Sequence, residues 1–144
     1  MAFGREMNEI QNTEESLVIR TDFSDDQGWE RVRSAVLKPV GDFRAYVEFL
    51  DDRAYDGLRV ETLLELIPAD TSHAFDFLVD SAALSDPDNP ILVVDLFGEP
   101  GRTFRVVPSS MWAVENNLSL ANMDWEDFSE NVDEHGVFRG FENS

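Results

Sequence analysis

Residues 91–96 (Ile-Leu-Val-Val-Asp-Leu) constrain the fold more than any other part of this 144-residue chain. Five of the six side chains are aliphatic, and such a run is typical of a strand that is covered on both faces. Gly98-Glu99-Pro100-Gly101 follows, and residues 103–107 are again rich in β-formers, which predicts an antiparallel hairpin. The rest of the chain must therefore supply strands and helices that cover both faces of this hairpin.

The other predicted elements alternate between strands and helices. Short β-rich runs predict strands, and apolar side chains at helical spacing predict helices. The strands are predicted at 17–23, 43–51, 74–79, 91–96, 103–107 and 137–141, and the helices at 24–38, 58–67, 111–120 and 124–132. The order β-α-β-α-β-β-β-α-α-β predicts an α/β (α+β) fold with helices packed on a mixed, partly antiparallel sheet.

Two helix starts carry recognisable capping residues. Ser24 with Gln27 matches a capping box at the start of the first helix. Asp124 with Asp127 resembles an acidic version of the same box at the start of the last helix.

Length and composition indicate one domain, since 144 residues with 42% hydrophobic residues are enough for a single core. Residues 1–16 contain four glutamates and no apolar run. We therefore predict a flexible leader at 1–16, without the features of a signal peptide, and a single domain at 17–144. No stretch approaches the roughly 18 apolar residues that cross a bilayer, so we expect a cytoplasmic protein without membrane binding.

The chain is strongly acidic, with 30 acidic and 11 basic residues and a formal charge of -19. Such a surface repels phosphate backbones and anionic lipids. We therefore predict no direct nucleic-acid binding, and a basic protein as the possible partner.

The residues that several kinds of catalysis need are missing. The absence of cysteine excludes disulfides, thiolate catalysis and iron-sulfur clusters. The chain has no G-x-G-x-x-G, and its single lysine, Lys38, lies outside any G-K-[ST] motif. These absences predict no cofactor and favour a function other than catalysis.

His73 and His135 are the only histidines, so a nucleophilic or two-histidine metal motif has few residues available. His73 falls in a predicted loop, where we expect it to be exposed. His135 lies in Asp133-Glu134-His135-Gly136, a sequence that favours a turn with glycine at positive φ over a divalent-metal site. We therefore predict no metal site.

Residues 111–128 combine large apolar side chains with Asn116, Asn117 and Asn122, although asparagine is a poor helix-interior residue. We predict that these amides are hydrogen-bond anchors at a helix junction. The alternative is that they face a ligand.

Negative charge is concentrated near the C-terminus, where residues 109–144 hold eight acidic residues and one basic residue, Arg139. A charge run is usually a solvated face, but beside an aromatic side chain it also suits a basic partner. The predicted binding residues are Glu115, Asn116, Asn117, Asp124, Trp125, Glu126 and Asp127.

Two functional hypotheses follow from these observations. The leading one is a non-enzymatic, acidic protein-binding module, such as an inhibitor or immunity-like factor that masks a basic active site. The alternative is a small-molecule or metal-dependent enzyme whose carboxylates and asparagines converge in one cleft. The candidate residues for that cleft are Asp22, Glu115, Asn116, Asn117 and Asp124.

Several segments also resemble a known family. Residues 114–128 contain Asn-Asn-Leu-Ser-Leu-Ala-Asn-Met, and residues 136–141 read Gly-Val-Phe-Arg-Gly-Phe. Together with residues 17–25 and 101–108, they resemble a family of uncharacterised bacterial proteins, mainly from actinomycetes. The resemblance covers residues 17–141 and implies a small stand-alone cytoplasmic protein, without catalytic residues to transfer. The Asn-Asn-Leu-Ser segment is also similar to small bacterial immunity proteins of toxin systems.

Overall fold

The computed structural model describes residues 7–141. Six strands of this part of the chain form a sheet with the order β2-β1-β3-β4-β5-β6. The strands are β1 (Ser16–Arg20), β2 (Val47–Leu50), β3 (Phe75–Val79), β4 (Ile91–Asp95), β5 (Thr103–Val106) and β6 (Val137–Phe138). β1 pairs in parallel with β2 and β3, β4 pairs antiparallel with β3 and β5, and β5 pairs in parallel with β6. The predicted fold class is therefore confirmed.

Within the described residues, five α-helices connect the strands. They are α1 (Asp26–Leu37), α2 (Val60–Leu66), α3 (Ser81–Ser85), α4 (Met111–Ser119) and α5 (Trp125–Ser129). The chain also makes single 3-10 turns at Arg53–Tyr55 and Pro108–Ser110.

The helices cover the sheet from both sides, and each side has its own core cluster. Neighbouring side chains in a strand point to opposite faces. Accordingly Val93 packs in the cluster that contains Trp29 of α1 and Phe128 of α5, whereas Val94 packs in the cluster that contains Leu63 of α2. Both valines have no exposed surface, which confirms that residues 91–96 provide a central strand covered on both faces.

Two residues of the predicted leader, Ile10 and Asn12, contact the domain. Ile10 is buried, and its N–H donates to the carbonyl oxygen of Leu66 at 2.8 Å. The amide oxygen of Asn12 accepts the Ser72 N–H at 2.8 Å. Residues 1–6 of that leader lie outside the described residues.

The structure corrects the predicted helices in two places. The predicted order lacks α3, a five-residue helix that is too short to produce a periodic pattern. Asp80 caps α3 by accepting the Ala83 N–H at 3.1 Å. The cap of α1 is Asp25, which accepts the Gly28 N–H at 2.8 Å. The predicted cap, Ser24, instead donates its N–H and its hydroxyl to the Asp22 carboxylate.

The predicted acidic capping box is confirmed, because the N–H of Asp124 donates to the carboxylate of Asp127 at 2.8 Å at the start of α5. Among residues 7–141, no helix has the length and apolar character needed to cross a membrane.

Candidate functional site

A groove of about 450 Å³ lies between the β4–β5 connection and the loop that joins α4 to α5. We call it the α4–α5 groove. Its apolar lining comes from Ala74, Phe75, Phe97, Leu118, Ala121, Met123 and Trp125. Its charged lining comes from Asp95, Glu99, Arg102, Asp124 and Glu126.

Asp95, at the end of β4, stabilises the turn that contains Phe97 and forms one wall of the groove. One carboxylate oxygen accepts the N–H groups of Phe97 and Gly98 at 3.0 and 3.1 Å, and the other accepts the Glu99 N–H at 2.9 Å. Burial opposes ionisation of Asp95, but these N–H groups and the Arg102 guanidinium outweigh it and lower the pKa of Asp95. The turn is therefore fixed, while the Phe97 side chain it carries is 80% exposed.

Arg102 connects this turn to α5. Its guanidinium contacts the carboxylates of Asp95 at 2.8 Å, Glu99 at 3.1 Å and Glu126 at 2.6 Å. The same group lies 5.4 Å from the centre of the Trp125 ring, and its hydrogen bond to Glu126 lowers the pKa of that carboxyl group. One arginine thus fixes the two walls of the groove relative to each other.

The opposite wall includes a strained helix end. Beyond α4, the N–H of Ala121 donates to Leu118 at 3.3 Å and that of Asn122 donates to Asn117 at 2.9 Å, which is the hydrogen-bond pattern of a Schellman motif. Ala121 has φ +56°. Glycine is the usual residue in this left-handed conformation, which costs any other residue about 1–2 kcal/mol.

The structure divides the predicted binding residues into two groups. Asp124, Trp125 and Glu126 line the α4–α5 groove, and Asp127 caps α5 beside it. Trp125 is largely buried and packs against Phe104 with ring centres 4.7 Å apart. Asp124, Glu126 and Asp127 are exposed, and half of the Glu126 side-chain surface is accessible.

Glu115, Asn116 and Asn117 form hydrogen bonds within the fold. Buried Glu115 accepts the Tyr46 N–H at 2.7 Å, and its other oxygen accepts the Ser119 hydroxyl at 2.8 Å. Asn116 donates to the carbonyl oxygen of Arg44 at 3.0 Å. Asn117 donates to Ala113, one helical turn earlier, at 2.8 Å. These side chains fix α4 and attach it to the segment before β2.

The carboxylates of the alternative hypothesis line different clefts. Asp22 lines a cleft beyond β1, Glu115 lines a small cleft beside His73, and Asp124 lines the α4–α5 groove. They do not form one constellation for acid-base or metal chemistry. Within residues 7–141, no three His, Asp or Glu side chains are grouped so that they could hold a metal ion.

Sequence reasoning missed a buried pair, His73 and Asp76. His73 was predicted to be exposed, but it is only 4% exposed and Asp76 is fully buried. The Nδ1 atom of His73 lies 3.1 Å from the Asp76 carboxylate, and Nε2 lies 2.8 Å from the carbonyl oxygen of Thr13. Asp76 also accepts the Leu17 N–H at 2.8 Å. A carboxylate inside the apolar run Ala-Phe-Asp-Phe-Leu-Val was the signal that a buried partner was required.

The environment of the pair favours its protonated form. The Asp76 carboxylate raises the pKa of His73, and burial raises the pKa of Asp76, so the pair holds a proton more strongly than either group would in water. The Thr13 hydroxyl is 3.0 Å from Nε2, which gives the order of groups seen in a nucleophilic triad. However, Nε2 donates to the Thr13 carbonyl and the hydroxyl donates to Glu15 at 2.6 Å, so the ring has no lone pair there with which to activate the hydroxyl.

The segment around His135 is a turn, as predicted. Asp133 accepts the N–H groups of His135 and Val137 at 2.8 and 3.0 Å, and Gly136 has φ +79°. The hydrogen bond from Arg139, together with these N–H groups, lowers the pKa of Asp133 to about 2. The carboxylate of this turn therefore has a structural role.

A comparison with curated proteins gives no match to the chain. A family model described as "Domain of unknown function (DUF6924)" matches residues 15–141. This match agrees with the resemblance described above in two respects: it covers nearly the same residues, 17–141, and the family has no assigned function. The chain therefore belongs to the family described as Domain of unknown function (DUF6924).

Proposed function

We propose that the protein is a non-enzymatic binding module whose α4–α5 groove takes a basic protein partner. The observation that carries the proposal is Phe97, an aromatic side chain with 80% exposure on a turn that Asp95 and Arg102 hold rigidly. An exposed aromatic side chain on a fixed backbone loses little entropy on binding, which is typical of an interface anchor.

The charges around the groove indicate the chemistry of the partner. Four carboxylates and one guanidinium line it, in a chain whose net charge is -19. Leu120, next to the lining residue Ala121, adds a second large apolar side chain that is 70% exposed. A partner that presents arginine or lysine around an apolar side chain would complement both the rim and the anchor.

An inhibitor or immunity-like factor is the kind of protein that fits this description. Such a factor would cover a basic active site or nucleic-acid-binding surface of its partner. Electrostatic attraction would accelerate the encounter, and the apolar contacts would keep the complex together at moderate salt.

Affinity purification of the tagged protein from its own host, at low and moderate salt, tests the proposal. We expect one stoichiometric partner that survives moderate salt, to be identified by mass spectrometry, purified and titrated by calorimetry. Its affinity should fall about thirtyfold or more with Phe97→Ser, since loss of an interface anchor costs about 2 kcal/mol or more. Glu126→Gln should slow association, most clearly at low salt.

The matched controls are Phe43→Ser and Glu61→Gln, which change an exposed aromatic residue and an exposed carboxylate outside the groove. Both controls should bind the partner as the unchanged protein does. The absence of any partner above background, or equal losses for Phe97→Ser and Phe43→Ser, would refute the proposal.

A further inference from the structure

A second apolar surface lies on the segment that joins α1 to β2. In the part of the chain that the structure describes, seven large apolar side chains are exposed. Phe97 and Leu120 border the α4–α5 groove. Four others lie within ten residues of the chain and are 40–52% exposed, namely Leu37, Val40, Phe43 and Tyr46. We call the surface formed by residues 37–46 the 37–46 patch. A cluster of exposed apolar side chains marks an interaction surface more often than scattered ones do.

The patch has an ordered backbone. Val40 and Phe43 exchange two backbone hydrogen bonds, of 2.8 and 3.0 Å. The Phe43 ring stacks on Trp112 of α4, with ring centres 4.5 Å apart. Farther along, the Tyr46 N–H donates to the Glu115 carboxylate of the same helix. The exposed side chains are therefore presented on a fixed surface, which lowers the entropy that binding would cost.

The patch carries positive charge in an acidic protein. Residues 31–46 contain four basic residues and one acidic residue, Asp42, in a chain with a net charge of -19. Two of the basic residues, Lys38 and Arg44, belong to the patch and are exposed. The Arg44 guanidinium lies 4.7 Å from the centre of the Tyr46 ring, and no carboxylate of the described residues forms an ion pair with Lys38 or Arg44. Both cations can therefore face the carboxylates of a partner.

The α4–α5 groove has the complementary character. Arg102 is shared by three carboxylates, so the group keeps a net negative charge although each member is ion-paired. Two of these carboxylates are accessible, since the side chains of Glu99 and Glu126 are 73% and 51% exposed. An acidic rim around an exposed aromatic side chain, Phe97, thus matches a basic rim around exposed aromatic side chains.

The area of the two surfaces indicates how strong their contact would be. At about 200 Å² for each large side chain, the exposed fractions amount to roughly 600–700 Å² of apolar surface for Leu37, Val40, Phe43, Tyr46, Phe97 and Leu120. This area lies at the small end of specific interfaces, where transient complexes are found. We therefore expect a dissociation constant of about 10 µM to 1 mM.

We propose that the 37–46 patch of one copy of this chain occupies the α4–α5 groove of a second copy. Phe43 would pack beside Phe97, and Arg44 would lie towards Glu126. Self-association would then compete with a basic partner, so the groove would be covered at high protein concentration and free at low concentration. This regulation rests on the proposed function, whereas the contact between the two copies does not.

Two double variants isolate a single contact between the two surfaces. The patch variant carries Phe43→Ser and Tyr46→Ser, and the groove variant carries Phe97→Ser and Leu120→Ser. All four side chains are exposed, so these changes leave the core intact. Each variant lacks one of the two surfaces and should sediment as a monomer at concentrations where the unchanged protein associates.

An equimolar mixture of the two variants contains one intact groove and one intact patch. We expect a 1:1 complex in analytical ultracentrifugation. In NMR spectra of the isotope-labelled patch variant, the unlabelled groove variant should shift the amide signals of residues 97–102 and 118–126.

The contribution of charge is tested in the groove variant, which supplies the intact patch. Adding Arg44→Gln should weaken the complex about two- to fivefold, the effect of losing one exposed ion pair. Arg59→Gln changes an arginine that is 80% exposed and lies outside both surfaces, and it should leave the complex unchanged.

Three results would overturn the inference: no complex in the mixture, association of either variant alone as strong as that of the unchanged protein, or equal effects of Arg44→Gln and Arg59→Gln. Affinity purification from the host separates this inference from the proposed function. A groove-dependent host partner without a complex in the mixture would overturn self-association alone. A complex in the mixture without any host partner would support the contact and overturn the proposed function alone. At low micromolar concentration the contact is largely dissociated, so Phe43→Ser remains a valid control for partner affinity.

Discussion

The buried pair of His73 and Asp76 makes a quantitative prediction about how stability depends on pH. In the folded protein the Asp76 carboxylate raises the pKa of His73, whereas in the unfolded chain the pKa of histidine is about 6.5. The folded state therefore binds more protons than the unfolded state above about pH 6.5. The stabilisation is fully present below that pH and is lost as the pH rises towards the raised pKa of the folded state, by up to about 1.4 kcal/mol per pH unit.

Asp76→Asn should remove this dependence and preserve the fold. The new amide can accept the Leu17 N–H through its oxygen and donate to Nδ1 of a neutral His73 ring, whose Nε2–H still donates to Thr13. Asp76→Ala, in contrast, leaves the Leu17 N–H and the imidazole without their buried acceptor. The free energy of unfolding should fall by about 3–5 kcal/mol, as it does when one partner of a buried pair is removed.

Urea unfolding between pH 6 and pH 9, followed by tryptophan fluorescence, measures both effects. The stability of the wild-type protein should fall relative to that of Asp76→Asn as the pH rises. His135→Gln, at a histidine whose side chain is 77% exposed, is the matched control and should keep the wild-type slope. If Asp76→Asn has the wild-type slope above pH 6.5, or unfolds as easily as Asp76→Ala, the reasoning about the shared proton is wrong.

Three further predictions concern the residues that build the α4–α5 groove and its neighbourhood. Ala121→Gly should increase the free energy of unfolding by about 0.5–1 kcal/mol. The reason is that removing the strain of the left-handed conformation gains more free energy than the added entropy of glycine in the unfolded chain costs. An unchanged or lower urea midpoint would contradict this prediction. Glu115→Ala should lower the free energy of unfolding in urea by about 2–3 kcal/mol, because it leaves the Tyr46 N–H unpaired. Glu115→Gln should lower it clearly less, and equal losses for the two variants would exclude the hydrogen-bond explanation. The pKa of Asp95 is lower in the folded state than its ordinary value of about 3.9. Ionised Asp95 therefore stabilises the fold above about pH 3.9, and this stabilisation is lost as the pH falls towards the folded-state pKa. Acid titration by circular dichroism should show a smaller loss of stability for Asp95→Asn than for the wild-type protein.

The elements that were predicted well are those whose evidence is local in the chain. The aliphatic run at 91–96 and the glycines after it were enough to predict β4 and its antiparallel partner β5. Asp124 and Asp127 are three residues apart, and they form the predicted box. By contrast, α3 was missed, because five residues held by one cap and by contacts with the sheet leave no periodic signal.

The candidate site was predictable only in part, and binding of a partner by its residues stays a prediction. Trp125 and Glu126 do line a groove, and their proximity in the chain to acidic neighbours was the reason for choosing them. Phe97, which we expect to be the anchor, was not singled out. The residues next to a phenylalanine in a turn do not indicate whether its side chain is exposed, and only the structure shows that Phe97 is. Glu115 was predicted to be a binding residue, and the sequence gives no sign of its hydrogen bond to the Tyr46 N–H, which spans 69 positions of the chain.

The sequence by itself determined the class of fold, the acidic character of the surface and the local caps and turns, because each depends on composition or on residues a few positions apart. Tertiary structure alone decided which polar side chains are buried and which line a cleft. His73 illustrates the reason, since its burial depends on Thr13, 60 positions earlier. The cleft beyond β1 likewise exists only because β1, β2 and β3 lie side by side in the sheet.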